Sequence, residues 1–210
     1  MLEKSPLWYF IIPYIAFGYL NNFIAYNFVS PSVYHPKLFD YGHYILPEIS
    51  TLFPDFLFFS IFLYFLVRWR KNQDLLKSFF LLAGILFILR LFTFPMTMVP
   101  PAASDCYPSS EDAPWIFFVL YTQSTCIDYM FSAHTFHLTL FTLFTIVKSS
   151  YTIEKVCITT FSLITFFMII AARLHYTADV IIAFILCTCV FSIYFLIEKN
   201  LSLKRKLIES

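Results

Sequence analysis

The stretch LLAGILFILRLFTFPMTM, residues 81–98, decides the fold. Its one charge is Arg90, and it sits in an apolar run that reaches over about 78–99. A helix crossing the hydrocarbon core of a bilayer needs about 20 mostly apolar residues, which this run supplies. Five further runs of the same kind lie at about 7–29, 52–67, 129–147, 156–172 and 179–198. The chain has 210 residues, 60% hydrophobic, 21% aromatic and only 13% charged. Soluble domains are typically about 45–50% apolar, because their surfaces must face water. Lipid accepts apolar side chains on the outside. In lipid every backbone amide must bond within the protein, and the short alternating strands of a barrel are absent, so the runs predict helices. The expectation is an all-α, polytopic membrane helix bundle of six transmembrane helices, forming one domain over residues 1–210. The first run is long enough to span and ends in no small-residue cleavage site, so it reads as a membrane helix and not as a cleaved leader. A net charge of +1 argues against nucleic acid as a partner.

Positive charge predicts the orientation. Arg68, Arg70, Lys71 and Lys77 fall in or beside the 68–77 loop, Lys148 and Lys155 flank the next loop on that side, and Lys199, Lys204, Arg205 and Lys206 lie in the tail. The 100–128 loop has no Lys or Arg, only Asp105, Glu111, Asp112 and Asp128. Both termini are therefore expected in the cytoplasm, with the acidic loop in the lumen, the cell exterior or the periplasm. Cys106 and Cys126 fall on that outer side, as a disulfide or as two free thiols. Cys187 and Cys189, in an apolar run, read as packing residues.

Polar residues in so apolar a chain carry the functional signal. "CIDYMFSAHTFHLTL", residues 126–140, puts Asp128, Ser132, His134 and Thr135 at the outer mouth of the fourth helix. "ARLHYTADV", residues 172–180, puts Arg173, His175, Tyr176 and Asp179 at the outer mouth of the sixth. Two histidines from distant parts of the chain thus reach one membrane depth. His175 and Asp179 are four apart, and on a helix they share a face. A carboxylate there fixes the imidazole tautomer and leaves the other nitrogen to attack an electrophile. His134 is then the partner acid and base. Arg90 in mid-span is costly and reads either as a phosphate clamp or as a snorkelling or structurally paired residue. Asp55, after Pro54 at the outer start of the second helix, is a site residue or an acid favoured by the helix dipole. His35, His43 and His137 read as solvated residues near helix ends, with His137 one turn from His134.

At these residues the chain resembles the sphingomyelin synthase family, a membrane branch of the type-two phosphatidic acid phosphatase superfamily. "CIDYMFSAHT" is similar to that family's C-G-D-x-x-x-S-G-H-T at Cys126, Asp128, Ser132, His134 and Thr135. Ile127 and Ala133 stand where the family has glycine. "HYTADV", His175 to Val180, matches H-Y-T-x-D-V throughout. "KSFFLLAGILFILRLFT" offers Lys77, Phe79, Phe80, Arg90 and Thr93 for an upstream basic-Phe-Phe and Arg-x-x-Thr pattern, and "TLFPD" echoes a Pro-Leu-Pro-Asp motif. The resemblance covers roughly residues 50–198.

The resemblance implies a lipid head-group transferase. His175, aided by Asp179, attacks the phosphorus of a glycerophospholipid such as phosphatidylcholine. Diacylglycerol leaves, protonated by His134, and a phosphohistidine remains. His134 then deprotonates ceramide, which takes the phospho-alcohol. Arg90, Asp128, Ser132, Tyr176 and Asp55 are the substrate-binding candidates. No metal and no cofactor are called for; the partners are ceramide, phospholipid and diacylglycerol within the membrane. The implied location is a multi-pass protein of the Golgi, ER or plasma membrane if eukaryotic, with the site on the non-cytoplasmic side. The alternative keeps the site but gives the phosphohistidine to water, as a lipid phosphate phosphatase or a phospholipase C. The wider superfamily's K-x6-R-P element is not found here, which weighs against simple phosphatase chemistry. The head group, organelle and oligomeric state are not legible in the residues.

Overall fold

The computed structural model describes residues 5–28, 38–93, 96–100, 102 and 128–209. Among them are seven helices: α1 (Trp8–Phe28), α2 (Tyr41–Ile45), α3 (Leu52–Trp69), α4 (Gln73–Thr93), α5 (Ala133–Lys148), α6 (Thr152–Ala171) and α7 (Thr177–Glu209). A two-residue antiparallel pair, β1 (Met98–Val99) with β2 (Asp128–Tyr129), joins the segments after α4 and before α5. Each of the six apolar runs contains a helix, but β1 falls at the end of the 78–99 run and Tyr129 of β2 at the start of the 129–147 run. Four helices are long and apolar enough to cross a membrane: Leu52–Trp69, Gln73–Thr93, Thr152–Ala171 and the Thr177–Leu201 part of α7. The chain is thus a multi-pass membrane protein. α5 has 16 residues, an axis of about 24 Å against a hydrocarbon core of about 30 Å. Cys106 and Cys126 lie outside the described residues, as does His35.

Local sequence explains the ends of the elements. Pro54 is tolerated in the first turn of α3, where its missing N–H costs no helical bond. Asn72 caps α4, its Oδ1 accepting from the Leu75 N–H at 3.1 Å. Ser132 caps α5, its hydroxyl accepting from the Thr135 N–H at 3.3 Å.

α4 and α5 form the axis. Two thirds (67%) of the most apolar stretch of α4 is buried, against 22–33% for the other three candidate spans. α1 packs along α4, while α5 touches α3, α4, α6 and α7. Lipid tails are as apolar as leucine, so packing and interhelical hydrogen bonds hold such a bundle, at about 0.6 kcal/mol per bond. Asn21 of α1 donates to the Phe87 carbonyl of α4 at 3.0 Å, and Thr142 of α5 donates to Ser162 of α6 at 2.9 Å. At the end formed by the 70–72 and 149–151 turns, both shorter than the 68–77 and 148–155 loops expected from the sequence, the Arg68 guanidinium meets Glu154 at 2.9 Å. Tyr64 and Ser149 donate to the same carboxylate. The histidine motifs lie at the opposite end.

Candidate active site

His175 is held from both sides of its motif. α6 closes with Leu174 N–H on the Ile169 carbonyl at 3.1 Å and Arg173 N–H on the Ile170 carbonyl at 3.0 Å, the paired bonds of a Schellman motif. Arg173 takes the left-handed position, φ 55°, which favours glycine. Its side chain explains the choice of arginine. Nη2 donates to the carbonyls of His43, at 2.7 Å, and Leu46, at 3.1 Å, tethering α2 over the turn.

α7 begins at Thr177, so His175 precedes the helix. The expectation that His175 and Asp179 share one helical face is therefore corrected: Asp179 alone is helical. Its Oδ2 reaches back to accept from the Tyr176 N–H at 3.1 Å, the carboxylate half of a capping box. The rest of the cap comes from far away. Asp40 accepts from the Thr177 N–H at 2.8 Å and the Thr177 hydroxyl at 2.7 Å, and also from the His43 N–H at 2.9 Å. Burial pushes the Asp40 carboxyl up, but the bonds from Thr177 and His43 outweigh it and hold the group below its usual range. His43 Nε2 donates to the His175 carbonyl at 3.0 Å, its ring tilted against Tyr176 at 5.3 Å. Leu38 N–H donates to the Tyr176 hydroxyl at 3.4 Å.

The His175 side chain is buried, and its imidazole is pushed down to about 3. Burial is the main cause; the Asp179 carboxylate opposes it, and the charges of Arg90 and His134 reinforce it. His175 is thus neutral at physiological pH. The two motifs are bonded directly, the Ser132 N–H donating to the Asp179 carbonyl at 3.3 Å.

Arg90 is buried, with Nε donating to the Phe131 carbonyl at 3.0 Å. The reading that places it in mid-span is corrected: α4 ends at Thr93, which puts Arg90 in the last turn, at the level of the histidines. A cation there also suits the negative end of the helix dipole. His134, in the first turn of α5, has Nε2 at 3.3 Å from Asp55 Oδ1, and its ring meets Phe58 edge-on at 4.6 Å. Asp55 thus becomes the partner of His134, a pairing that sequence spacing does not reveal. Asp128 lies in β2 opposite Val99.

His137 is buried, not solvated. Nδ1 lies 2.8 Å from the Ala133 carbonyl, which can only accept, so Nδ1 carries the proton. Nε2 then accepts from the Tyr14 hydroxyl at 2.9 Å. Asp40, Gly42 and Tyr14 were not singled out by sequence, and His43, read there as a solvated residue, instead bonds the His175 carbonyl. Among the described residues no group of three or more His, Cys, Asp or Glu side chains could hold a metal ion. The arrangement sets a neutral imidazole, an imidazole paired with a carboxylate and a buried guanidinium around one end of the bundle. That set suits attack on a phosphorus, proton transfer to a leaving oxygen, and neutralisation of phosphoryl charge.

Residues 125–196, which hold both histidine motifs, match the family model described as PAP2 superfamily C-terminal. The chain is 31% identical over 150 residues to the human protein named sphingomyelin synthase-related protein 1, covering 64% of this chain and 36% of that one. The mouse protein of the same name is 30% identical over 150 residues, covering 64% and 31%. The chain thus spans about a third of the length of the curated relatives it matches.

Proposed function

We propose that this chain belongs to the sphingomyelin synthase-like branch of the PAP2 superfamily, which its similarities support, and is a membrane lipid head-group transferase. The neutral His175 attacks the phosphorus of a glycerophospholipid such as phosphatidylcholine. The bond from phosphorus to the diacylglycerol oxygen breaks, and His134 gives its proton to that oxygen. The phospho-alcohol is left on His175. His134, now neutral, takes the proton from the primary hydroxyl of ceramide, whose oxygen attacks the phosphorus and frees His175. Asp55 orients His134 and balances its charge while it holds the second proton. Asp179 steadies His175, and Arg90 faces the phosphoryl oxygens.

One observation carries the reading. The Ser132–Asp179 bond joins motifs more than forty residues apart, so that the buried His175 and the Asp55-paired His134 lie at one end of the bundle. The test uses proteoliposomes holding a head-group-labelled phosphatidylcholine and ceramide. Label should pass to ceramide, and His175→Ala should lower the rate on the order of 10³ or more. Label released as water-soluble phosphocholine, with no ceramide product, would instead favour water as the acceptor. Full transfer by His175→Ala would end the mechanism.

A further inference from the structure

The short helix α2 is built inside out. Tyr41, Tyr44 and Ile45 are spaced i, i+3, i+4 and so share one face. That face is turned outward, with the three side chains 66%, 77% and 59% exposed. Leu38 and Phe39, just before the helix, are exposed as well. Gly42 and His43 turn inward, where Asp40 caps the helix and His43 meets the His175 carbonyl at 3.0 Å. A helix on a water-facing surface shows the reverse, polar side out and apolar side in. The outward face of α2 carries no charge, and the polar groups of the segment are spent on the ties beneath it.

The neighbours of α2 fix its depth. A Cβ on Gly42 would meet Ile170, next to last in α6, and Thr177, first in α7. Ile49 N–H donates to the carbonyl of Ala171, the last residue of α6, at 3.3 Å. Both helices are long and apolar enough to cross a membrane, over Thr152–Ala171 and Thr177–Leu201. Residues 38–49 therefore run across the ends of two spans, at the bilayer boundary and not out in water. One turn deeper, Phe167 on α6 and Ile181 on α7 are exposed on the faces that carry Ile170 and Thr177. The outward face of α2 continues that lipid-facing surface past the helix ends. Tyrosine suits this level, because its ring is apolar and its hydroxyl is polar.

We infer that α2 is an interfacial anchor, whose Tyr41, Tyr44 and Ile45 face docks into the head-group layer of the bilayer on the histidine side. The partner is the lipid surface itself. Lipid contact on the outer face keeps α2 in place, and the ties on its inner face hold the turn that carries His175. Those ties are Asp40 to the Thr177 N–H, His43 to the His175 carbonyl, and Arg173 to the His43 and Leu46 carbonyls. The inference goes beyond the proposed reaction and does not depend on it.

The test combines two readouts on the full chain in phosphatidylcholine liposomes. The first is photocrosslinking with a phosphatidylcholine that carries a diazirine beside its glycerol. Adducts should fall on the peptide that holds Phe39, Tyr41 and Tyr44, and Tyr41→Ser with Tyr44→Ser should abolish them. The second is hydrogen exchange at the His43 and Thr177 amides, both of which donate to Asp40. The double serine variant should speed exchange at both roughly tenfold, since lost apolar contact frees the segment. Tyr41→Phe with Tyr44→Phe should keep wild-type exchange. If the double serine variant does not accumulate, Tyr44→Ser alone replaces it. Wild-type protein with no adduct on that peptide would overturn the inference, as would unchanged exchange in the serine variant. Neither readout needs turnover, so protein that behaves as expected here but forms no ceramide product would sink the transferase reading and leave the anchor standing.

Discussion

Asp55 and His134 form the contact from which most follows at the residue scale. Their 3.3 Å separation places a carboxylate behind the imidazole that the scheme uses as acid and base. Asp55→Asn keeps the shape and removes the charge. It should lower kcat roughly 10–100-fold with little change in KM for the phospholipid, because proton handling matters in the transition state and not in binding. An unchanged kcat would remove Asp55 from proton transfer. Much of this site was legible as residues. His134, His175 and Asp179 stand out because polar types are scarce in an apolar chain. Asp40 and His43 were not legible, because they sit in a polar loop where their types carry no signal. His137 and Tyr14 were masked for the opposite reason: each lies in an apolar run, and only packing makes one the partner of the other.

At the scale of elements, the short helix α2 acts as a strap across the turn before α7. Asp40, His43 and Arg173 make the polar ties, and Gly42 makes the close approach. A Cβ on Gly42 would strike the Thr177 hydroxyl and come within 2.9 Å of Ile170 Cγ2 and 3.1 Å of Asp40 Oδ1. Ile170 is packed in the core and Asp40 is committed to its cap, so neither can yield. Gly42→Ala should therefore lift the strap, lower stability by about 1–3 kcal/mol and loosen His175. Thermal unfolding in nanodiscs together with the transfer rate checks this; wild-type values for both would show that the strap is incidental. Each hydrophobic run marked a helix, and four of those helices are long and apolar enough to cross a membrane. Their ends were less legible. The run read as 78–99 is a helix over 73–93, because apolar composition continues past the point where the helix stops. That offset moved Arg90 from mid-span to the last turn. α2 itself left no periodic signal in five residues.

For the whole molecule, polar chemistry is segregated to two ends of an apolar bundle. Arg68, Glu154, Tyr64 and Ser149 tie one end, and the histidines occupy the other. The arrangement keeps α3 and α6 in register at the end away from the histidines. A site at the rim of such a bundle suits a substrate with one polar end and apolar tails, and in the proposed scheme its apolar walls would hold water away from a phosphohistidine. The account stands or falls on that covalent species. The most direct measurement is rapid acid-free quenching of the protein with head-group-labelled phosphatidylcholine, followed by mass spectrometry of the labelled peptide. The account expects phosphocholine on His175, absent in His175→Ala, accumulating without ceramide and discharged when ceramide is added. Label on another residue, or ceramide product formed at the wild-type rate with no labelled protein at any time, would contradict it.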